Sequence, residues 1–155
     1  MIFYLNEELF SFDHFDIFDE TEQPAYTAER EFFHFGKKLI VRDAAGQMAA
    51  SVQHVPFSIP CTYVLTIGEQ EYELTRNFAL FSRSYCLDRI GWQIEGDFMS
   101  LEYEITKNGR AVASVSRAFL SLGSRYALEV VDARDALLAL CTVLAIDCCD
   151  EEHSR

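Results

Sequence analysis

Glycine and proline are scarce in this chain, seven and three among 155 residues. The glycines at 36, 46, 68, 91, 96, 109 and 123 never fall into a Gly-x-Gly-x-x-Gly or Walker pattern, so no phosphate-cradling loop is encoded. Pro24, Pro56 and Pro60 are expected in loops. There is no fixed-period repeat, low-complexity run or linker, and one domain is expected over residues 1–150, followed by a polar tail at 151–155. Basic residues are few: 13 Lys and Arg stand against 25 acids, for a formal charge of −12. That field repels phosphate backbones, which disfavours nucleic acid, and it disfavours anionic membrane surfaces except through a local basic patch.

Cysteines are odd in number (Cys61, Cys86, Cys141, Cys148, Cys149) and lack framework spacing, so no disulfide scaffold is expected and a reducing cytoplasm is the expected compartment. Cys141 and Cys148 share a helix face but stand about 10 Å apart along it, too far to bridge. Adjacent Cys148 and Cys149 admit a redox reading; the simpler one is two small residues ending a buried helix. No Cys-x-x-Cys, His-Glu-x-x-His or Gly-x-Ser-x-Gly occurs, and no metal, cofactor or catalytic centre is expected. The opening Met1-Ile2-Phe3-Tyr4-Leu5-Asn6-Glu7-Glu8 lacks a basic flank and reaches acids at once, unlike a signal peptide.

What is present is apolar alternation. Half the residues are hydrophobic and 14% aromatic, a composition that buries a core and leans toward strands. Short segments with one apolar face recur about every ten residues. They include Phe15/Ile17, Tyr26/Ala28, Leu39/Val41, Met48/Ala50/Val52, Cys61/Tyr63/Leu65/Ile67, Tyr72/Leu74, Tyr85/Leu87, Trp92/Ile94 and Tyr126/Leu128/Val130. Leu101–Ile105 and Ala111–Val115 flank Asn108-Gly109, the preferred pair for a tight hairpin turn because both positions need positive φ. The stretch from Asp132 to Asp150 breaks the pattern. Between Ala136 and Ile146 only Thr142 is polar, and apolar residues fall on every face, so this helix must be enclosed. These eleven residues reach about 16 Å, short of the roughly 30 Å hydrocarbon core. Asp132 is expected to cap it, with Asp135 in the first turn. About a dozen strands enclose a lumen wide enough for one helix, whereas a sandwich with the helix outside would require a polar stripe that is missing. The expected fold is mainly β (α+β), a twelve-stranded antiparallel closed barrel around a central hydrophobic C-terminal helix.

The motifs Asp43-Ala44-Ala45-Gly46, Gly96-Asp97, Leu101-Glu102-Tyr103-Glu104-Ile105 with Gly109, Val112-Ala113, Ser116-Arg117 and Tyr126-Ala127-Leu128-Glu129-Val130 resemble those of LURP-one-related proteins of the tubby C-terminal-like group. Asp135-Ala136-Leu137-Leu138 running to Ala145-Ile146-Asp147 resembles the family's terminal helix. The resemblance spans nearly the whole chain and implies a twelve-stranded barrel around a hydrophobic helix. It implies no active site. Tubby relatives bind phosphoinositides through basic residues, but no motif carries those positions over to this chain.

Candidate residues are few. Lys37, Lys38 and Arg42 form the best basic cluster, an anionic-ligand contact on the sharper reading and a solvated rim on the simpler one. Asp13-His14-Phe15-Asp16-Ile17-Phe18-Asp19-Glu20 lacks calcium-loop spacing and is expected to be solvated. His34 and His54 would be the bases of any rim enzyme. Trp92 is expected in the core, and Asp147, near the helix's C-terminal end, is expected to find a backbone or Arg partner. These readings favour a non-catalytic scaffold or binding module with an unknown protein or small-molecule partner. A tubby-like binder of phospholipid head groups or another anionic ligand is the alternative, and a small-molecule enzyme on the barrel rim is the third.

Overall fold

The computed structural model describes residues 1–7, 13–33, 36–77, 83–120 and 123–153. Twelve strands run in chain order: β1 (Ile2–Asn6), β2 (His14–Phe18), β3 (Pro24–Phe33), β4 (Gly36–Asp43), β5 (Met48–His54) and β6 (Thr62–Ile67), then β7 (Gln70–Asn77), β8 (Ser84–Leu87), β9 (Trp92–Asp97), β10 (Glu102–Lys107), β11 (Arg110–Leu120) and β12 (Gly123–Val130). Each pairs antiparallel with its neighbours in sequence, and β1 pairs with β12, so the sheet closes on itself. Closure gives every described strand a partner on both sides, though β1 and β2 meet only where Tyr4 stands opposite Phe18, and this is how an antiparallel meander of this size limits the templating of further pairing. The helix α1 (Ala136–His153) follows a 3₁₀ turn at Ala133–Asp135 and threads the lumen.

The enclosure is complete. From Ala136 to Cys149 every helical residue is buried except Leu137 and Asp147, which are half-buried. The inner faces of the strands meet this helix with the residues their alternation predicts, among them Ile17, Val41, Leu65, Leu74, Ile94, Ile105 and Leu128, all with no exposed surface. Trp92 belongs to the same core. Thr142 disposes of its hydroxyl by donating to the Leu138 carbonyl oxygen one turn back, at 2.7 Å, so the dry interior holds no stray donor there. Asp132 caps the 3₁₀ turn and not α1 itself, its Oδ1 accepting from Arg134 N at 2.9 Å. The Arg134 guanidinium beside it lowers the Asp132 carboxyl to about 2.

Burial also marks the helix thiol. Cys141 has no exposed surface, and desolvation pushes its pKa from 9.0 up to about 12. The folded chain therefore keeps a proton that the unfolded chain releases. This stability is fully present below pH 9.0 and is lost as pH rises toward about 12, by up to roughly 1.4 kcal/mol per pH unit. Urea unfolding measured across that range is expected to show a shallower pH slope for Cys141→Ala, by about one proton. An unchanged slope would mean the thiol is solvated.

Three strand expectations need correction, the first being Pro24, which was expected in a loop and instead opens β3 opposite Phe18. The strand Ile2–Asn6 carries apolar residues on both faces, Phe3 and Leu5 inward and Ile2 and Tyr4 half-buried, so alternation did not reveal it. Met48 was expected to share the inward face of Ala50 and Val52, yet it is exposed. The register shifts between Val41 and Arg42, Val41 facing Ala50 and Arg42 facing Met48, so Ala49 is the extra residue of a bulge and Met48 turns outward. Similar shifts lie between Ile17 and Phe18 and between Ile105 and Thr106. All three fall at the end of the barrel where the chain enters the helix, hereafter the entry end; the opposite, exit end receives the C-terminal part of α1.

Candidate functional site

With the lumen filled, concave and projecting features lie at the barrel's two ends. At the entry end, a cavity of about 540 Å³ has an apolar wall of Ile2, Phe3, Ala25 and Tyr26 and an acidic rim of Asp19, Glu20 and Asp43. Phe3 and Tyr26 meet edge to face at 5.8 Å. Asp19 and Asp43 sit in matching turns. Asp19 Oδ1 accepts from Thr21 N at 2.9 Å and Gln23 N at 3.1 Å, and Asp43 Oδ1 accepts from Ala45 N and Gln47 N, both at 3.0 Å. The Thr21 hydroxyl donates to Asp19 as well, and these bonds hold that carboxyl below its usual range. An anion would meet repulsion at this mouth.

The exit end projects instead. Between β5 and β6 the loop Val55-Pro56-Phe57-Ser58-Ile59-Pro60-Cys61 leaves Phe57 94% and Ile59 86% exposed. The loop is nonetheless tied to itself. Val55 N donates to Thr62 O at 2.9 Å, the Ser58 hydroxyl to Val55 O at 2.7 Å, Thr62 N to Ser58 Oγ at 3.1 Å, and the Thr62 hydroxyl to Pro60 O at 3.1 Å. Met99, on the β9–β10 turn at the same end, is 85% exposed. Sequence reading did not single out this loop. The signal available was a Phe-Ser-Ile triplet bracketed by prolines, off the strand alternation on both sides.

The sequence candidates are dispersed. Lys37, Lys38 and Arg42 all lie on β4. Lys37 has the inward parity of Leu39 and Val41, while Lys38 and Arg42 have the outward parity, about 13 Å apart along the strand. Register sets Lys38 between Glu31 and Gln53. Arg42 Nε lies 3.5 Å from Glu29 and its Nη1 donates to Gly46 O at 3.3 Å, at the entry end. His34 lies outside the described residues. His54, half-buried at the exit end of β5, packs its ring against Tyr63 at 5.1 Å. It does not line the entry cavity. In the acidic run, Asp13, His14 and Asp16 are exposed, His14 Nδ1 stands 3.7 Å from Glu29, and Phe15 and Ile17 point into the core. Among the described residues no three His, Cys, Asp or Glu side chains converge to hold a metal ion. Asp147 receives a hydrogen bond from the Tyr126 phenol, a kind of partner the sequence did not suggest. Burial, with Asp147 alongside, holds the Tyr126 phenol well above its ordinary range, so it remains a donor there.

A family model described as LURP-one-related matches residues 1–147. Over 145 residues the chain is 30% identical to the uncharacterized protein YxjI of Bacillus subtilis, covering 92% of this chain and 88% of that one. Its fold is similar to the X-ray structure of a protein from Arabidopsis thaliana, with a TM-score of 0.64 over 94% of this chain and 88% of the other. Identity to that plant protein is 12%, a level at which likeness speaks for the fold alone. No helix among the described residues is long and apolar enough to cross a membrane.

Proposed function

The chain belongs to the LURP-one-related family, and on that premise we propose that it is a non-catalytic binding module, a single domain over residues 1–150 acting in the cytoplasm, that engages a protein partner through the exit end. The observation that carries this reading is the Phe57–Ile59 tip. Two large apolar side chains stand almost wholly in solvent on a loop fixed by its own hydrogen bonds. Leaving them there gives up the roughly 1.5–3 kcal/mol that burying each would gain, and nothing in the barrel's own packing requires it. A partner with an apolar groove recovers that energy, and a loop already ordered loses little entropy on docking. The double substitution Phe57→Ser/Ile59→Ser is expected to shift the Tm by no more than about 2 °C, as surface changes do. It is also expected to abolish recovery of the partner that the unmodified chain retains on affinity purification. Equal recovery by the double variant would overturn the reading.

A second reading, a tubby-type contact with phospholipid head groups or another anionic ligand, is favoured by one juxtaposition. Lys37 and Lys38 open β4 at the same end as the tip, Lys38 opposite Gln53 and so near the start of its loop. Co-sedimentation with vesicles carrying anionic lipid at low salt distinguishes the two. Binding that vanishes on Lys37→Ala/Lys38→Ala favours the lipid reading, and no binding removes it.

A further inference from the structure

We propose that Cys61 and Cys149 form a redox-active dithiol, closed to a disulfide by a hydroperoxide, that staples the loop bearing Phe57 and Ile59 to the last turns of the central helix. The inference stands on their geometry and is independent of which partner the tip engages. Cys61 follows Pro60 at the foot of the loop, and Cys149 lies in α1 where the helix reaches the exit end. Their sulfurs are 2.7 Å apart although 88 positions separate them in sequence. Two sulfurs in ordinary non-bonded contact stand well over 3 Å apart, and a disulfide needs about 2.05 Å, so these thiols face each other within a small movement of bonding.

Both side chains are buried, Cys149 with no exposed surface and Cys61 with 6%. Cys61 is thus the sulfur an oxidant reaches first. The Cys61 sulfur, giving up its proton, attacks the distal oxygen of the hydroperoxide, the O–O bond breaks, and the departing alkoxide or hydroxide takes up that thiol proton to leave as alcohol or water, which gives a sulfenic acid at Cys61. The Cys149 sulfur then attacks that sulfur. The S–S bond forms, and hydroxide leaves and takes up the Cys149 proton as water. Two electrons pass from the thiol pair to the peroxide, and a small thiol reductant reverses the step by exchange. The remaining cysteines are placed differently: Cys141 lies about two turns up the helix from Cys149, and Cys86 donates to Asn77 Oδ1 and the Thr75 carbonyl oxygen on the barrel wall.

The test is mass spectrometry of the unmodified chain after brief exposure to stoichiometric hydrogen peroxide, with alkylation under denaturing conditions. A loss of two mass units, protection of Cys61 and Cys149 alone, and a cross-linked peptide pair joining them are expected. The Tm is expected to rise by roughly 5–15 °C, because the bond closes a long loop in the unfolded chain. Cys61→Ala and Cys149→Ala should each abolish the cross-link and the Tm rise, while Cys86→Ala leaves both intact. A Cys148–Cys149 link, or Cys61 oxidised singly with Cys149 still alkylated, would overturn the proposal. Those readouts on the unmodified chain decide the matter even if one variant fails to fold, and since they do not involve the tip's partner, neither outcome bears on the Phe57–Ile59 reading.

Discussion

Leu140→Asp is expected to yield no cooperatively folded protein. Leu140 lies in the middle of the apolar part of α1 and has no exposed surface. Truncating a buried leucine costs about 2–5 kcal/mol by itself. A carboxylate at that position faces the apolar inner wall, and an unpaired buried charge adds several kcal/mol more, or forces the group to stay protonated at comparable cost. Together these reach the 5–15 kcal/mol, roughly, that holds a domain of this kind together. Leu140→Met keeps the volume and the apolar character and is expected to cost under about 1.5 kcal/mol. Circular dichroism melts check both: a soluble Leu140→Asp variant with a sharp transition would show that the helix is not enclosed.

Gly96→Ala is expected to lower the Tm by roughly 6–12 °C, equivalent to about 3 kcal/mol. Gly96 sits inside β9 at φ +144°, and a Cβ there would lie 2.5 Å from the Tyr103 Cα and 2.6 Å from the Glu102 carbonyl oxygen. These are backbone atoms of the paired strand β10, since Gly96 stands opposite Tyr103 in the ladder. They cannot swing aside as a side chain would; relief requires β9 and β10 to part. Gly91 provides the comparison. Its φ is +71° and its missing Cβ would meet nothing within 4 Å, so Gly91→Ala should cost only about 1–2 kcal/mol, the left-handed backbone penalty alone. Equal melting temperatures for the two variants would refute the close approach of the strands.

The barrel was legible because its parts are locally redundant. Tyr63 and Leu65, or Tyr126 and Leu128, declare an inward face within a few residues, and Asn108-Gly109 declares its turn, with φ of 51° and 77° as that turn requires. The helix was legible because a segment apolar on all sides has few places to go. What escaped depends on distant or exceptional geometry. A bulge moves one residue without changing the composition around it, so Met48 was assigned to the wrong face. β1 has apolar residues on both sides and is recognised only by its pairing with β12. Phe57 and Ile59 look like core residues until the loop carrying them is seen to leave the wall. Lys37, Lys38 and Arg42 cluster in sequence, but strand alternation and 3.3 Å of rise per residue spread them over two faces and both ends. The Cys61–Cys149 approach joins positions that no local pattern relates.

The seam between β1 and β12 carries a consequence for biosynthesis. A ribosome makes the first stave of the wall more than a hundred residues before the stave that completes it, and the segment that fills the middle emerges after both. Until then the nascent chain carries greasy strands with unsatisfied margins and nothing to wrap around. Maturation is therefore deferred until the helix has been made, and a chain cut anywhere before Ala136 should deliver material for chaperones and proteases, with no partly working product.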